Sequence, residues 1–276
     1  MKDVLVYANS LSAWTPAMIW AAQIASTLRG GLTGVYVCPS PAVGYAAPYG
    51  GIDIAASLIA SIRKVEEEAY AVHAQFERRA AEYGVRSAQW QVAEGHVPQI
   101  LQHLGNWHDL LVIDRGNEAP WTAPWEVGNL VLTTRMPTLV VPPGAPQRQS
   151  LDCVAIAWNG SPEALRALHA ARGLLAQARR IVVLRGTRGD PYSEIGWRPV
   201  FSLETYLARQ AFSVELIDIE SADGDIGATL LDAAAQHDAD LLVMGAYGRS
   251  RFSEWAFGGA THHILHHSAI PVMMRR

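Results

Sequence analysis

Apolar residues along this chain gather in short continuous runs separated by longer stretches with helical spacing, and the whole alternation occurs twice. The runs 109–113 (Asp-Leu-Leu-Val-Ile) and 239–244 (Ala-Asp-Leu-Leu-Val-Met) are unbroken behind one acid, the pattern of parallel strands covered on both faces. Opening strands are predicted at 3–9 and 153–159, second strands at 32–37 and 180–184, third strands at 87–92 and 213–219, and fourth strands within the two runs just quoted. Fifth strands follow at 136–141 and 270–274, each with proline near its start, where a missing ladder donor is tolerated. Helical spacing lies between them, most plainly over 57–83.

Strands alternating with helices call for a parallel sheet with helices on both faces, so the fold class is α/β, with two repeated five-stranded units. A Pro-, Gly- and Gln-bearing stretch at 142–150 reads as the linker, and the boundary is expected near Gln147, giving domains 1–147 and 148–276.

Composition narrows the function. Of 276 residues, 50% are apolar and 17% charged, with net charge −4. Nucleic acid is an unexpected partner for such a chain, because its binders concentrate Lys and Arg on one face. No apolar run approaches the ~18 residues of a membrane span, and the N-terminus reads as a strand rather than a signal peptide. A cytoplasmic protein is expected. Cys38 and Cys153, the only two cysteines, are expected to be buried thiols. The low charge fraction also points to a homodimer.

The segment from Val243 to Thr261 carries the chemistry. Its glycines at Gly245, Gly248, Gly258 and Gly259 lie behind a buried strand, at the sheet edge where backbone N–H groups approach a phosphate without a Cβ in the way. Gly245, Gly248 and Gly258 match, at the same spacing, the nucleotide loop of the universal stress proteins: glycine, two residues, glycine, nine residues, glycine. With the repeat, the chain resembles the tandem members of that family over nearly its whole length. The resemblance implies an adenine-nucleotide-binding, Rossmann-like fold of strand order 3-2-1-4-5, with ATP in the crevice between strands 1 and 4. Carried over, Asn159 meets the ribose, the neighbourhood of Val183 and Leu184 meets the adenine, and Gly245, Gly248, Gly258, Gly259 and Ala260 hold the phosphates. Arg249 adds positive charge, and Trp158 either narrows the adenine crevice or fills it.

Two positions depart from the family pattern. The usual acid is Asn159, and the usual Ser or Thr after the third glycine is Gly259. A lost hydroxyl on an anionic phosphate is worth about 1.5–3 kcal/mol, or roughly ten- to a hundred-fold in affinity. In the first half, Asp114 and Asn117 stand where Gly245 and Gly248 stand in the second, so that domain is expected to have lost its own nucleotide. The alternative reading is steric: the glycines permit a tight turn, and the chain is a structural or interaction protein with an unidentified protein partner. A weak ATP hydrolase is a third reading, although no nucleophile elbow or Walker loop is present. His262 and His266, with His263 and His267, form i,i+4 pairs that would offer a metal two ligands, short of the three or four of a stable zinc site, so no metal is expected.

Overall fold

The computed structural model describes residues 1–39, 52–116, 119–147, 150–186, 200–220, 225–247 and 259–276. Its contacts divide the chain into two compact units, Met1–Met136 and Pro137–Arg276. In the first, β1 (Asp3–Tyr7), β2 (Gly31–Cys38), β3 (Ser87–Glu94) and β4 (Leu110–Asp114) lie in the order β3-β2-β1-β4, all parallel. In the second, β6 (Cys153–Trp158), β7 (Arg180–Gly186), β8 (Val214–Ile219), β9 (Leu241–Gly245) and β10 (Val272–Arg275) lie in the order β10-β9-β6-β7-β8, the expected 3-2-1-4-5.

The remaining strand, β5 (Thr138–Val141), runs antiparallel to β10, with Leu139 opposite Met273. That pairing places it with the second unit, although in the chain it completes the first repeat. It also gives β10 a partner on each edge.

The helices are α1 (Pro16–Thr27), α2 (Ile52–Ala71), α3 (His73–Glu82), α4 (Val97–Gly105), α5 (Pro124–Thr134), α6 (Pro162–Leu175), α7 (Leu203–Arg209), α8 (Ile226–Gln236) and α9 (Gly259–His267). Their starts follow local chemistry. Proline stands in the first turn of α1, α4, α5 and α6, where no donor is lost. Thr15, Ser161, Ser202 and Asp225 each accept an N–H from the turn they precede. The single helix expected over 57–83 is instead two, broken at Val72 without a proline or glycine. Beyond the break, Phe76 seats its ring on Trp90, at 5.0 Å between centroids, and on Trp14 at 5.5 Å. A Cβ on Gly34 would meet the Phe76 and Trp90 rings at 2.7 Å, so this cluster needs glycine in β2.

Central strands are dry: Val4, Leu5, Val6, Leu110, Leu111, Val112 and Ile113 have no exposed surface, and neither do Val154, Ala155, Leu242 and Val243. This is the burial that the unbroken apolar runs predict. Each repeat ties its first strand to its fourth by one carboxylate. Asp109 Oδ2 accepts the N–H groups of Lys2 and Asp3, and Asp240 Oδ2 accepts those of Asp152 and Cys153. Both cysteines are buried and free.

Candidate functional site

The chain leaves β6 for β7 on one side and β9 on the other: Ile156 stands opposite Val183 in one ladder and Val243 in the next. Such a reversal opens a crevice at the carboxyl ends of the first and fourth strands of a repeat, where open α/β sheets bind ligands. Trp158, the half-buried last residue of β6, and exposed Asn159 border it. Asn159 Oδ1 accepts the Ser161 N–H at 3.0 Å, and Ser161 Oγ in turn accepts the Ala164 N–H at 3.2 Å. Gly160, at φ +70°, makes the turn between them. The Asn159 oxygen is thus engaged locally, and a ribose contact would fall to its NH2 group.

Gly245 ends β9 directly against the amino end of α6. A Cβ there would lie 2.5 Å from the Ala164 nitrogen and 2.6 Å from the Glu163 carbonyl carbon, so only glycine fits. Two residues on, Tyr247 takes a left-handed φ of +55°, and its N–H donates to Thr261 Oγ1 at 3.4 Å. Burial pushes the Tyr247 phenol up to about 12, which keeps it neutral. Thr261 is buried in the first turn of α9, which opens at Gly259 and continues through half-buried Ala260. Among the described residues nothing lies within 4 Å of where a Gly259 Cβ would stand. Val183 and Leu184 are fully buried within β7, which runs on to Gly186. Gly248, Arg249 and Gly258 lie outside the described residues, as does Asn117 of the first half.

The structure adds residues that sequence reasoning missed. Arg185, opposite Trp158 in the ladder, holds Asp218 through two hydrogen bonds of 2.6 and 3.0 Å and Glu204 through one of 3.2 Å. The Arg185 guanidinium holds the Asp218 carboxyl below its ordinary range. Glu163, in the first turn of α6, has one oxygen 3.5 Å from Arg166 and the other buried without a hydrogen-bond partner. The available signal was a charge at the carboxyl end of an apolar strand, or just inside a helix after a Ser-Pro start.

The first unit fills the same place differently. Asp114 ends β4 where Gly245 ends β9, and its Oδ1 accepts the Ala17 N–H at 2.9 Å in the first turn of α1. The carboxylate thereby supplies the negative charge that a helix amino end attracts. Burial raises the Asp114 pKa, and hydrogen bonds from Thr15, Ala17 and Asn9 partly offset that rise. Nearby, Trp121 at φ +62° meets His96 edge-on at 5.2 Å, while Trp125 is 66% exposed.

On α9 the imidazoles of His262 and His266 are 4.1 Å apart and those of His263 and His267 are 4.5 Å apart. His266 Nδ1 bonds the His262 carbonyl at 2.8 Å, and His263 Nδ1 lies 2.9 Å from Asp225. Burial, then the neighbouring histidines, depress the His262 pKa. Among the described residues no three His, Cys, Asp or Glu side chains converge to hold a metal.

The universal stress protein family model matches residues 153–276, almost all of the second unit. Residues 153–276 therefore carry a universal stress protein domain. A universal stress protein of Synechocystis sp. is 25% identical to it over 296 aligned positions that span 100% of both chains. Among solved structures, a universal stress protein from Archaeoglobus fulgidus superposes with a TM-score of 0.68 at 14% identity, over 99% of this chain and 96% of that one. A functionally unknown Pseudomonas aeruginosa protein gives 0.57 at 15% identity, over 99% and 91%. At these identities the structures speak for the fold. No described helix of the chain is long and apolar enough to cross a membrane.

Proposed function

We propose that this protein holds an adenine nucleotide, ATP foremost, in the crevice of its second repeat, and that it serves a stress response as a nucleotide-responsive binding module rather than as a fast enzyme. The observation that carries the reading is the contrast between Gly245 and Asp114. In the first repeat a carboxylate already occupies the amino end of α1. In the second, Gly245 brings no side chain to the counterpart helix α6, and α9, the helix that follows the fourth strand, starts at Gly259. Exposed N–H groups and the helix dipole there favour phosphate. On this reading the repeats divide after Gln147, the first is empty of nucleotide, and the protein works as a cytoplasmic homodimer.

Isothermal titration with ATP tests the site. Saturable heat is expected, strengthened about tenfold by Asn159→Asp, which keeps the Ser161 turn and adds a charge-assisted acceptor for the ribose. No binding at millimolar ATP by either protein would overturn the proposal.

A further inference from the structure

A second concavity lies in the first unit, bordered by the amino ends of its strands. It is half open to solvent, has a volume of about 290 Å³ and is floored by β2 and β3, where Gly31 pairs with Ser87 and Thr33 with Gln89. Gln91, two residues further along β3, continues the polar strip, and Trp107 and His108 beyond α4 form the wall. Alternation along a strand puts Ser87, Gln89 and Gln91 on one face.

The internal repeat supplies the control. The ladders align Gly31 with Arg180 and Gln89 with Glu215. In the second unit Arg180 lies 3.8 Å from Glu215, and its guanidinium also donates to the His237 carbonyl at the end of α8. There an arginine side chain and an ion pair stand where the first unit has a glycine and an amide. The lining of the concavity is thus particular to the first repeat.

Its lining selects a ligand class. Among the described residues no Lys or Arg lines it, and Asp3 does, so an anion such as a nucleotide is disfavoured. One carboxylate is too few for a dedicated divalent-cation site. The Leu104 carbonyl accepts from His108 Nδ1 at 2.7 Å, and His108 Nε2 is hydrogen-bonded to the Thr33 hydroxyl at 2.9 Å. The Thr33 hydroxyl keeps spare hydrogen-bonding capacity, beside two amides that donate and accept. Trp107 is 82% exposed and offers an unsatisfied apolar face. We propose that this concavity is a binding site for one neutral, polyhydroxylated ring with an apolar face, that is, a single pyranoside. The volume sits at the small end of ligand pockets and suits one such ring.

Saturation-transfer difference NMR on the full chain, with methyl pyranosides of glucose, galactose and mannose as probes and glycerol and inorganic phosphate as controls, tests this. Transfer to the ring protons of at least one pyranoside is expected, with affinity near millimolar and no competition from ATP. Trp107→Ala should weaken it about tenfold. The pair Gly31→Arg with Gln89→Glu, which installs the second repeat's ion pair, should abolish it, while Trp125→Ala leaves it unchanged. Both test proteins are to be shown folded by circular dichroism. The proposal fails if no pyranoside shows transfer, if ATP displaces the sugar, or if the folded Gly31→Arg, Gln89→Glu protein binds as well as wild type.

Discussion

Gly245 and Ala164 are so close that a Cβ on the glycine would stand 2.5 Å from the alanine's amide nitrogen. The end of β9 and the start of α6 are therefore in backbone contact. The glycine that marks a nucleotide loop in the sequence is also a steric requirement of the fold.

Gly245→Ala is accordingly expected to destabilise the protein by about 1–3 kcal/mol, the usual cost of overpacking a backbone contact. Urea denaturation measures it. A loss of ATP binding in this variant reports on α6 as much as on phosphate, so it is a poor probe of the site by itself.

Gly259→Ser is the cleaner probe, because a Cβ there meets no atom of the described residues within 4 Å. It installs the hydroxyl that the resemblance leads one to expect at this position. ATP affinity by calorimetry should rise roughly ten- to a hundred-fold with the melting temperature of the free protein unchanged. An unchanged affinity would remove the α9 amino end from the phosphate site.

Asp114→Asn tests the filled crevice of the first repeat. Burial raises the folded-state pKa of Asp114 above its ordinary 3.8, so the native protein binds the extra proton and the unfolded chain does not. Stability from this group is present below 3.8 and is lost as pH rises through the folded value. The asparagine keeps an acceptor for the Ala17 N–H and carries no charge. Denaturation followed against pH should therefore show a shallower decline for the variant than for wild type above that point.

Asp240→Ala and Asp109→Ala remove the same link from the two repeats. Asp240 is 3% exposed and satisfies two N–H groups, whereas the Asp109 side chain is 49% exposed. Leaving buried donors unsatisfied costs about 1–3 kcal/mol each, and water can replace the carboxylate only at the exposed position. Asp240→Ala should be the more destabilising by denaturant titration; equal costs would show that the second link is also solvated.

Much of this architecture was legible in the residues. Continuous apolar runs behind Asp109 and Asp240 announced buried parallel strands, because a strand wet on one face alternates. Ser161 before Pro162 announced a helix start, because both residues act through atoms within one turn. The repeat fixed the strand order by resemblance. What stayed hidden depended on atoms distant in the chain. Arg185, Asp218 and Glu204 are separated by many residues and meet only because β7 and β8 pair in one register. The break at Val72 follows no local signal.

The sequence by itself determined the α/β class, the duplication and the place of the glycine loop, since periodicity, capping and turn chemistry are encoded within a few residues. Tertiary structure alone decided that Gly245 is glycine partly for the sake of Ala164, that β5 pairs with β10, and that Gly31 borders a concavity where its counterpart Arg180 makes an ion pair with Glu215. Each of these is set by close approach between segments far apart in the chain, and no window of residues records a distance across the fold.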